Sequence, residues 1–324
     1  MSFTAFINNW SQSENLELKY IQSTYGKPSF IKLEHLFLSH LHLDHAGGLR
    51  HLITWIQMFQ KETRVSQGKK LNIYIPRDST KQFQERMNHL FNKTNPELLN
   101  DSDFLEKLFQ IEIGEDIIEY IKFHTINPEK PEILFGNYSI TCKKNNHIEG
   151  SLAFKIQYTK WSFNEEKAMN FDLKPGSIIG RLLRNGRLDH KGRSINRSEV
   201  FDAQITRLGY SGDTSIDYEL IDWYNDCQIL IHDSMYLESD TTFHLESHTV
   251  LPELISYIFQ KKYEMKIIPV HISQRYKWKE IEEKINQLSS EYPTIHLYLA
   301  KIFDIFLFEK ETLSHLALIK HEKL

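Results

Sequence analysis

Short apolar runs separated by polar turns recur along the chain and predict an α/β protein rich in strands. Runs or alternations of hydrophobic residues predict strands at Leu36–Leu38, Leu71–Pro76, Tyr138–Cys142, Leu152–Tyr158, Ile205–Tyr210, Cys227–His232 and Lys266–Val270. Because Leu71–Pro76 ends in proline, it reads as an exposed edge or terminal strand. Helical periodicity predicts helices at Leu49–Phe59, Ser79–Phe91 and Val250–Gln260. Polar Asn92–Asp103 reads as a loop, and Ile111–Phe135 carries alternations typical of further strands.

Several predicted strands end in residues that can bind metal or move protons. His40-Leu41-His42-Leu43-Asp44-His45 follows the first strand. His147, Asp213, Asp233 and His271 follow later ones. Since α/β folds place their chemistry at strand ends, these side chains are expected to meet.

The hexapeptide His40–His45 gives the strongest indication of metal binding among these segments. On extended chain, residues i and i+2 point the same way, so His40 and His42 can hold one ion together. Asp44 and His45 lie where the chain turns and can face a second ion. Imidazole nitrogens with a carboxylate oxygen suit zinc. The alternative is a histidine-rich surface loop in a chain with 16 histidines.

A dinuclear site needs about seven protein ligands, and the later strand ends complete that number. His40, His42 and His147 would hold one ion. Asp44, His45 and His271 would hold the other, with Asp213 between them. Taken singly, His147, Asp213 and His271 read as hydrogen-bonded structural or turn residues, so the hypothesis depends on their joint occurrence.

Composition bounds the class of protein. The 324 residues are 40% hydrophobic and 12% aromatic, enough for a sizeable core in one large domain or two modest ones. No run approaches the roughly 20 apolar residues that span a bilayer, and the first four residues lack a secretory pattern. We therefore expect a soluble, cytoplasmic protein. Cys142 and Cys227 are expected to be buried small hydrophobes outside the metal site.

One segment is strongly basic although the chain carries −4. Lys174–Arg197 has seven basic residues and one acidic residue, a net +6, so the remainder carries −10. Gly-containing turns break Trp161–Arg197, which is expected to project as an arm or long hairpin and is the least core-like region. From charge alone it is either a solvated face or a phosphate-binding surface.

Taken together, the motifs along the chain resemble those of a known family, the ribonuclease Z branch of the metallo-β-lactamase fold. The resemblance is carried in order by His40–His45, Tyr210-Ser211-Gly212-Asp213-Thr214, Leu230-Ile231-His232-Asp233-Ser234-Met235, Ser247-His248-Thr249, His271-Ile272-Ser273-Gln274-Arg275-Tyr276 and Leu299-Ala300-Lys301-Ile302-Phe303-Asp304. It covers roughly Leu33 to Phe308.

The resemblance implies an αββα sandwich, a single domain over 1–324 with an inserted arm at 161–197. It implies a zinc-dependent endoribonuclease that holds two Zn²⁺ per chain and cleaves the 3′ trailer from precursor tRNA by two-metal hydrolysis. Asp44 would accept a proton from the attacking water, and His248, oriented by Asp233, would donate one to the leaving ribose oxygen. In the family, the arm of one subunit of a homodimer clamps substrate at the other's site. Here that arm would bind RNA through Lys174, Arg181, Arg184, Arg187, Lys191 and Arg193.

The chain also departs from the family pattern. Only 39 residues precede His40, where the family usually has two or three strands and a Cys-Gly-Glu-Gly-Thr segment. A shortened N-terminal sheet is therefore expected, with an edge that an additional chain could complete. Asp233 replaces a Glu, and Gly176-Ser177 replaces the Gly-Pro of the arm. Glu149 places a carboxylate close to the metal, where its charge would alter substrate choice.

Two other functions stay open on the sequence. A metal-dependent phosphodiesterase for small cyclic nucleotides would use the same ligands without an arm. A non-catalytic or weakly active subunit of an RNA-processing complex would account for the short N-terminal region.

Overall fold

A computed structural model describes residues 33–81, 84, 100–130, 132–238 and 247–300, together with the backbone of two later strands. The side chains of 43, 44 and 135 lie outside this description. The helix predicted over Ser79–Phe91 and the loop up to residue 99 therefore lie largely outside it too.

The described chain alternates strands and helices. The strands are β1 (His35–Phe37), β2 (Leu71–Pro76), β3 (Ile121–Ile126), β4 (Ile133–Phe135), β5 (Tyr138–Lys144), β6 (Leu152–Phe163), β7 (Arg187–His190), β8 (Arg193–Asn196), β9 (Phe201–Tyr210), β10 (Ile229–Asp233), β11 (Lys266–Val270), β12 (His296–Leu297), β13 (Ile305–Glu309) and β14 (Thr312–Ala317). The helices are α1 (Leu43–Ala46), α2 (Leu49–Phe59), α3 (Lys61–Ser66), α4 (Asp101–Glu112), α5 (Glu165–Met169), α6 (Ser177–Asn185), α7 (Tyr218–Trp223), α8 (Leu251–Lys261) and α9 (Trp278–Glu291), with 3₁₀ turns at Glu115–Glu119 and Arg197–Glu199.

The first sheet contains three parallel strands in the order β1-β2-β3. The prediction that Leu71–Pro76 is an edge strand is wrong, because β2 lies in the middle. Its proline is the last residue, so its missing N–H interrupts no ladder hydrogen bond within the strand. Leu71, Ile73 and Ile75 are fully buried against α2 and α4, and the alternate residue Tyr74 points to the opposite face.

The second sheet has seven strands in the order β12-β11-β10-β9-β6-β5-β4. Strands β9 to β12 run parallel to one another, and β4, β5, β6 and β9 pair antiparallel. Its outer face buries Ala153, Leu230 and Ile267 against α7, α8 and α9. Parallel strands joined through helices bring their carboxyl ends to one edge of the sheet.

An apolar layer joins the two sheets. Ile126 of β3 packs with Ile140, Leu152 and Phe154 of the second sheet, and Phe37 stacks on Tyr74 at 4.3 Å between ring centroids. With helices outside each sheet, the layers run helix, sheet, sheet, helix, which confirms the predicted α/β class and αββα arrangement. Buried Cys142 and Cys227 belong to these cores, as predicted.

Helix α4 was not predicted, and the loop reading is wrong for Asp101–Asp103. Asn100 caps this helix by accepting a hydrogen bond from Asp103 N at 3.0 Å. Leu105 and Phe109, four residues apart, bury one face against β2 and β3. None of the described helices is long and apolar enough to cross a bilayer.

The basic arm folds around its own small core, which corrects its description as the least core-like region. Residues 161–197 include the end of β6, helices α5 and α6, and the β7–β8 hairpin. Ile179 and Leu182 of α6 pack with Ile195 of β8 and with Phe201 at the start of β9. The segment is therefore a compact lobe on the long strands β6 and β9 and not a bare hairpin.

Candidate metal centre

Five histidines and Asp213 converge where the strands end. The loop after β1 supplies His40 and His42, the short helix α1 supplies His45, and the loops after β5, β9 and β11 supply His147, Asp213 and His271. From the Asp213 carboxylate, His45 Nε2 is 3.1 Å away, His40 Nε2 3.8 Å, His147 Nε2 4.0 Å and His271 Nδ1 3.5 Å. The structure thus brings together six of the seven residues that the sequence analysis assigned to metal.

Three overlapping groups within this cluster could each hold an ion, their ligand atoms lying within 4.8 Å of one another. They are His40, His42 and His147; His40, His45 and Asp213; and Asp213, His248 and His271. The first matches the predicted first site. The third includes His248, which the sequence analysis assigned to proton transfer. The Asp44 side chain lies outside the described residues, so its predicted roles stay predictions.

The chemistry of His40 fits a metal ligand. Its side chain is fully buried, and within the described part of the chain Nε2 has no hydrogen-bond partner. Ser39 Oγ lies 3.1 Å from Nδ1 and orients the ring. Burial, and then the neighbouring His45, lower the pKa of His40 to about 3. A buried neutral imidazole with an unused nitrogen near a carboxylate is what a metal ion requires.

Asp213 stays ionised in the centre of this cluster. Burial would raise its pKa, but the hydrogen bond with His45 and the nearby His271 lower it to about 2. Gly212 precedes it with φ of +60°, and a Cβ there would lie 2.9 Å from Ser39 Cβ. A glycine is required for this close approach of the loop after β1 and the loop after β9.

Asn145 and the backbone of Ser247 support the cluster, two contacts that were not predicted from the sequence. The amide of Asn145 donates to Ser211 O at 2.7 Å and to Asp213 O at 2.9 Å, which ties the loop after β5 to the loop after β9. The backbone oxygen of Ser247 lies 3.1 Å from His147 Nδ1. The position of Asn145 at a strand end, two residues before His147, was the available signal.

His248 and Asp233 form a hydrogen-bonded pair beside the histidine cluster. His248 Nδ1 lies 2.9 Å from Asp233 Oδ2. The buried carboxylate also accepts from Thr214 N at 2.9 Å and Met235 N at 3.1 Å. Burial alone would raise the pKa of Asp233, but hydrogen bonds with His248, His271 and Thr214 N hold it below its usual value. The shorter side chain that replaces the family's Glu therefore still reaches His248.

Imidazole rings crowd around this pair. The His248 ring centroid is 5.0 Å from that of His147 and 4.9 Å from that of His271. His271 Nδ1 is 3.5 Å from a carboxylate oxygen of both Asp213 and Asp233. Its backbone has φ of +60°, a conformation that non-glycine residues adopt at a cost and mostly at functional sites.

The predicted RNA-binding residues lie on the arm and outside these metal groups. All six are exposed: Lys174, Arg181, Arg184, Arg187, Lys191 and Arg193. Lys191 pairs with Asp172 at 3.1 Å, and Arg187 hydrogen bonds to Ser194. Arg181 and Arg184 are three residues apart on α6, so they share one face of that helix.

Comparison with known proteins finds curated relatives along most of the chain, whereas no protein-family model matches it. A ribonuclease Z from Archaeoglobus fulgidus is 25% identical over 261 residues, covering 79% of this chain and 75% of the relative. One from Thermococcus onnurineus is 26% identical over 293 residues, covering 89% and 82%. One from Staphylococcus epidermidis is 23% identical over 287 residues, covering 85% and 82%.

The solved structures with a similar fold are less similar in sequence than these relatives. A metallo-beta-lactamase fold protein from Bacillus subtilis has a TM-score of 0.48 and 16% identity, covering 87% of this chain and 80% of that one. The short form of human tRNase Z has a TM-score of 0.39 and 14% identity, covering 88% and 80%. The curated relatives confirm the resemblance seen in the motifs: the chain is a homologue, at about one-quarter identity, of proteins named ribonuclease Z.

Proposed function

We propose that this protein is a zinc-dependent endoribonuclease of ribonuclease Z type, which removes the 3′ trailer from precursor tRNA. One observation carries the proposal: a cluster of imidazoles around the Asp213 carboxylate lies directly beside the His248–Asp233 pair. Ligands for metal and a separate proton donor are the two components that phosphodiester hydrolysis requires. The relatives named ribonuclease Z support tRNA as the substrate.

The proposed metal ligands divide into two sets. His40, His42 and His147 would hold one ion, and His45 and His271 would hold a second with Asp44, with Asp213 shared between them. Zinc bound there would polarise the phosphodiester oxygens and lower the pKa of a water. The buried, neutral His40 and the ionised Asp213 already have the protonation states that ligands need.

His248 is the proposed general acid. Its Nδ1 is engaged by Asp233, so Nε2 is the nitrogen from which a proton can pass to the leaving ribose oxygen. The buried carboxylate fixes the orientation of the ring. Asp44 is proposed to accept the proton of the attacking water.

The arm is proposed as the RNA-binding surface. Its exposed arginines and lysines can neutralise backbone phosphates of tRNA at a distance from the metal centre. In a homodimer the arm of one protomer would clamp tRNA bound to its partner. That homodimer, an additional chain that completes the first sheet, and a cytoplasmic location stay predictions.

The direct test is cleavage of a precursor tRNA bearing a 3′ trailer by the purified zinc-loaded chain. We expect cleavage by the wild type and its loss in His42→Ala and Asp213→Ala. His51→Ala is the matched control, because His51 is an exposed histidine on the neighbouring α2. If the wild type leaves the RNA intact but hydrolyses bis(p-nitrophenyl) phosphate, the protein is instead a phosphodiesterase for small substrates.

A second test addresses the arm. Replacing Arg181, Arg184 and Arg187 together by glutamine should weaken tRNA binding and reduce the salt dependence of its affinity, by a log–log slope of roughly 0.7–0.9 for each lost phosphate contact. The control replaces exposed Lys69, Lys70 and Lys122, which lie outside the arm. Equal losses in both triple variants would show only a general charge effect and contradict the arm's role.

A further inference from the structure

A cavity of about 550 Å³ opens beside His42. It is lined by the loop after β1 and the start of α2, by α4, and by the turn at residues 78–80. Its volume falls within the roughly 300–1,000 Å³ of small-molecule sites. Of the proposed metal ligands only His42 is among its lining residues, and none of the arm residues is.

The cavity lining is mainly apolar and includes two charged residues. Leu41, Leu49, Leu105, Leu108, Phe109 and Ile148 line it. Arg50 and Glu149 add one cation and one carboxylate to the same lining. A ligand with flat apolar faces and hydrogen-bonding edges matches this distribution.

A buried carboxylate fixes one wall of the cavity. Asp101 accepts hydrogen bonds from Asp78 N at 2.8 Å, Thr80 N at 2.8 Å and Thr80 Oγ1 at 2.7 Å. It thereby ties the turn that follows β2 to the first residue of α4. A wall held in this way is formed before ligand binds, which lowers the entropic cost of binding.

The cavity adjoins the place where a phosphate would bind. His42 belongs both to its lining and to the His40–His42–His147 group. Ile148 and Glu149, which also line it, directly follow His147, whose Nε2 is 3.3 Å from His42 Nδ1. A nucleoside attached to a phosphodiester bound at these histidines would therefore lie next to the cavity.

We infer that this cavity binds the nucleobase of the nucleotide next to the scissile phosphate. The base would lie with its faces between the side chains of α4 and those of the loop after β1, and Arg50 and Glu149 would hydrogen bond to its edges. This inference rests on the proposed function in that the nucleotide belongs to an RNA chain. In this arrangement Glu149 contacts the base. That contact would explain how the charge of Glu149 alters substrate choice.

The catalytic test measures selectivity for a base. The ratio of kcat/KM for thymidine 5′-(p-nitrophenyl phosphate) to that for methyl p-nitrophenyl phosphate reports the contribution of the nucleoside. Leu108→Trp fills the cavity from α4, and Ile111→Trp, 85% exposed on the same helix, adds the same side chain outside it. We expect the ratio to fall about tenfold or more in Leu108→Trp, because the buried ring faces are lost, and to stay at the wild-type value in Ile111→Trp.

The binding test needs no turnover and keeps the inference falsifiable if Leu108→Trp folds poorly. Calorimetry on the zinc-loaded wild type should show uridine 5′-monophosphate binding about tenfold tighter than ribose 5-phosphate. Leu108→Ala, which removes apolar wall without adding bulk, should reduce that preference. Equal affinities for the two phosphates in the wild type, or an unchanged selectivity ratio in a folded Leu108→Trp, would overturn the inference.

The two proposals fail differently. If precursor tRNA stays intact while the preference for base-bearing ligands persists, the cavity assignment stands and the tRNA function falls. If precursor tRNA is cleaved while the selectivity ratio does not respond to Leu108→Trp, the cavity assignment falls and the tRNA function stands.

Discussion

The His248–Asp233 pair gives the sharpest prediction about mechanism. Replacing Asp233 by asparagine keeps the shape of a side chain that is fully buried and receives hydrogen bonds from Thr214 N, Met235 N and His248 Nδ1 at 2.9–3.1 Å. The substitution removes the negative charge beside His248. It also replaces one acceptor oxygen by an NH2 group, which faces Met235 N when the remaining oxygen keeps His248 and Thr214 N. Because proton donation needs a protonated imidazole, the variant should slow any reaction that depends on it.

The magnitude follows from the kind of hydrogen bond that is lost. A hydrogen bond to a charged group contributes about 1.5–3 kcal/mol and a neutral one about 0.5–1.5 kcal/mol. The difference of about 1–2 kcal/mol corresponds to a roughly 5- to 30-fold lower rate. His248→Ala removes the proton donor itself and should cost about 10²–10⁴-fold.

The assay compares two leaving groups. Precursor tRNA releases a ribose oxygen that needs a proton, whereas bis(p-nitrophenyl) phosphate releases a phenolate that is stable without one. Asp233→Asn should therefore slow RNA cleavage much more than ester hydrolysis. Asp226→Asn is the control, since that partly exposed carboxylate pairs with Lys155 instead. Equal loss on both substrates would refute proton donation and indicate that the pair instead supports the proposed metal ligands.

Three further predictions concern stability and the geometry of the site. Gly212→Ala should lower stability by at least about 1–2 kcal/mol, measured by urea unfolding, and reduce zinc content, because its φ is +60° and its Cβ would contact Ser39. Gly209→Ala should lower stability by about 1–3 kcal/mol and reduce the melting temperature, since its Cβ would lie 2.5 Å from a ring carbon of Tyr224. Burial lowers the pKa of His232, so its imidazole is neutral in the fold but titrates near 6.5 when unfolded. The free energy of unfolding of the metal-free protein is therefore unaffected by His232 titration above pH 6.5, and it decreases as pH falls below that value, by up to about 1.4 kcal/mol per pH unit. The urea midpoints measured at pH 7.5 and 5.5 should differ less in His232→Gln than in the wild type.

The elements with strong local patterns could be predicted closely from the sequence. Leu49–Phe59, Leu71–Pro76 and Lys266–Val270 have the predicted bounds. Helix α4 was missed because its polar first turn, with Asp101 turned inward, reads like a loop. The central position of β2 was missed because strand order in a sheet depends on pairing between distant segments.

Some residues of the candidate site could likewise be predicted from the sequence, and others could not. The histidines and Asp213 could be predicted, since metal ligands must be of these residue types and each follows a strand. Asn145 was not singled out, because its role depends on backbone oxygens 66 and 68 residues away. The core of the arm was missed because Ile179 and Leu182 alternate with arginines that dominate the pattern.

The most direct measurement is to map the ends of the products formed from a precursor tRNA with a 3′ trailer in the presence of zinc. The account predicts one cut immediately after the discriminator base, a tRNA that ends in a 3′ hydroxyl, and no cut by Asp213→Ala. An intact precursor, cuts scattered along the RNA, or cleavage that persists in Asp213→Ala would contradict it.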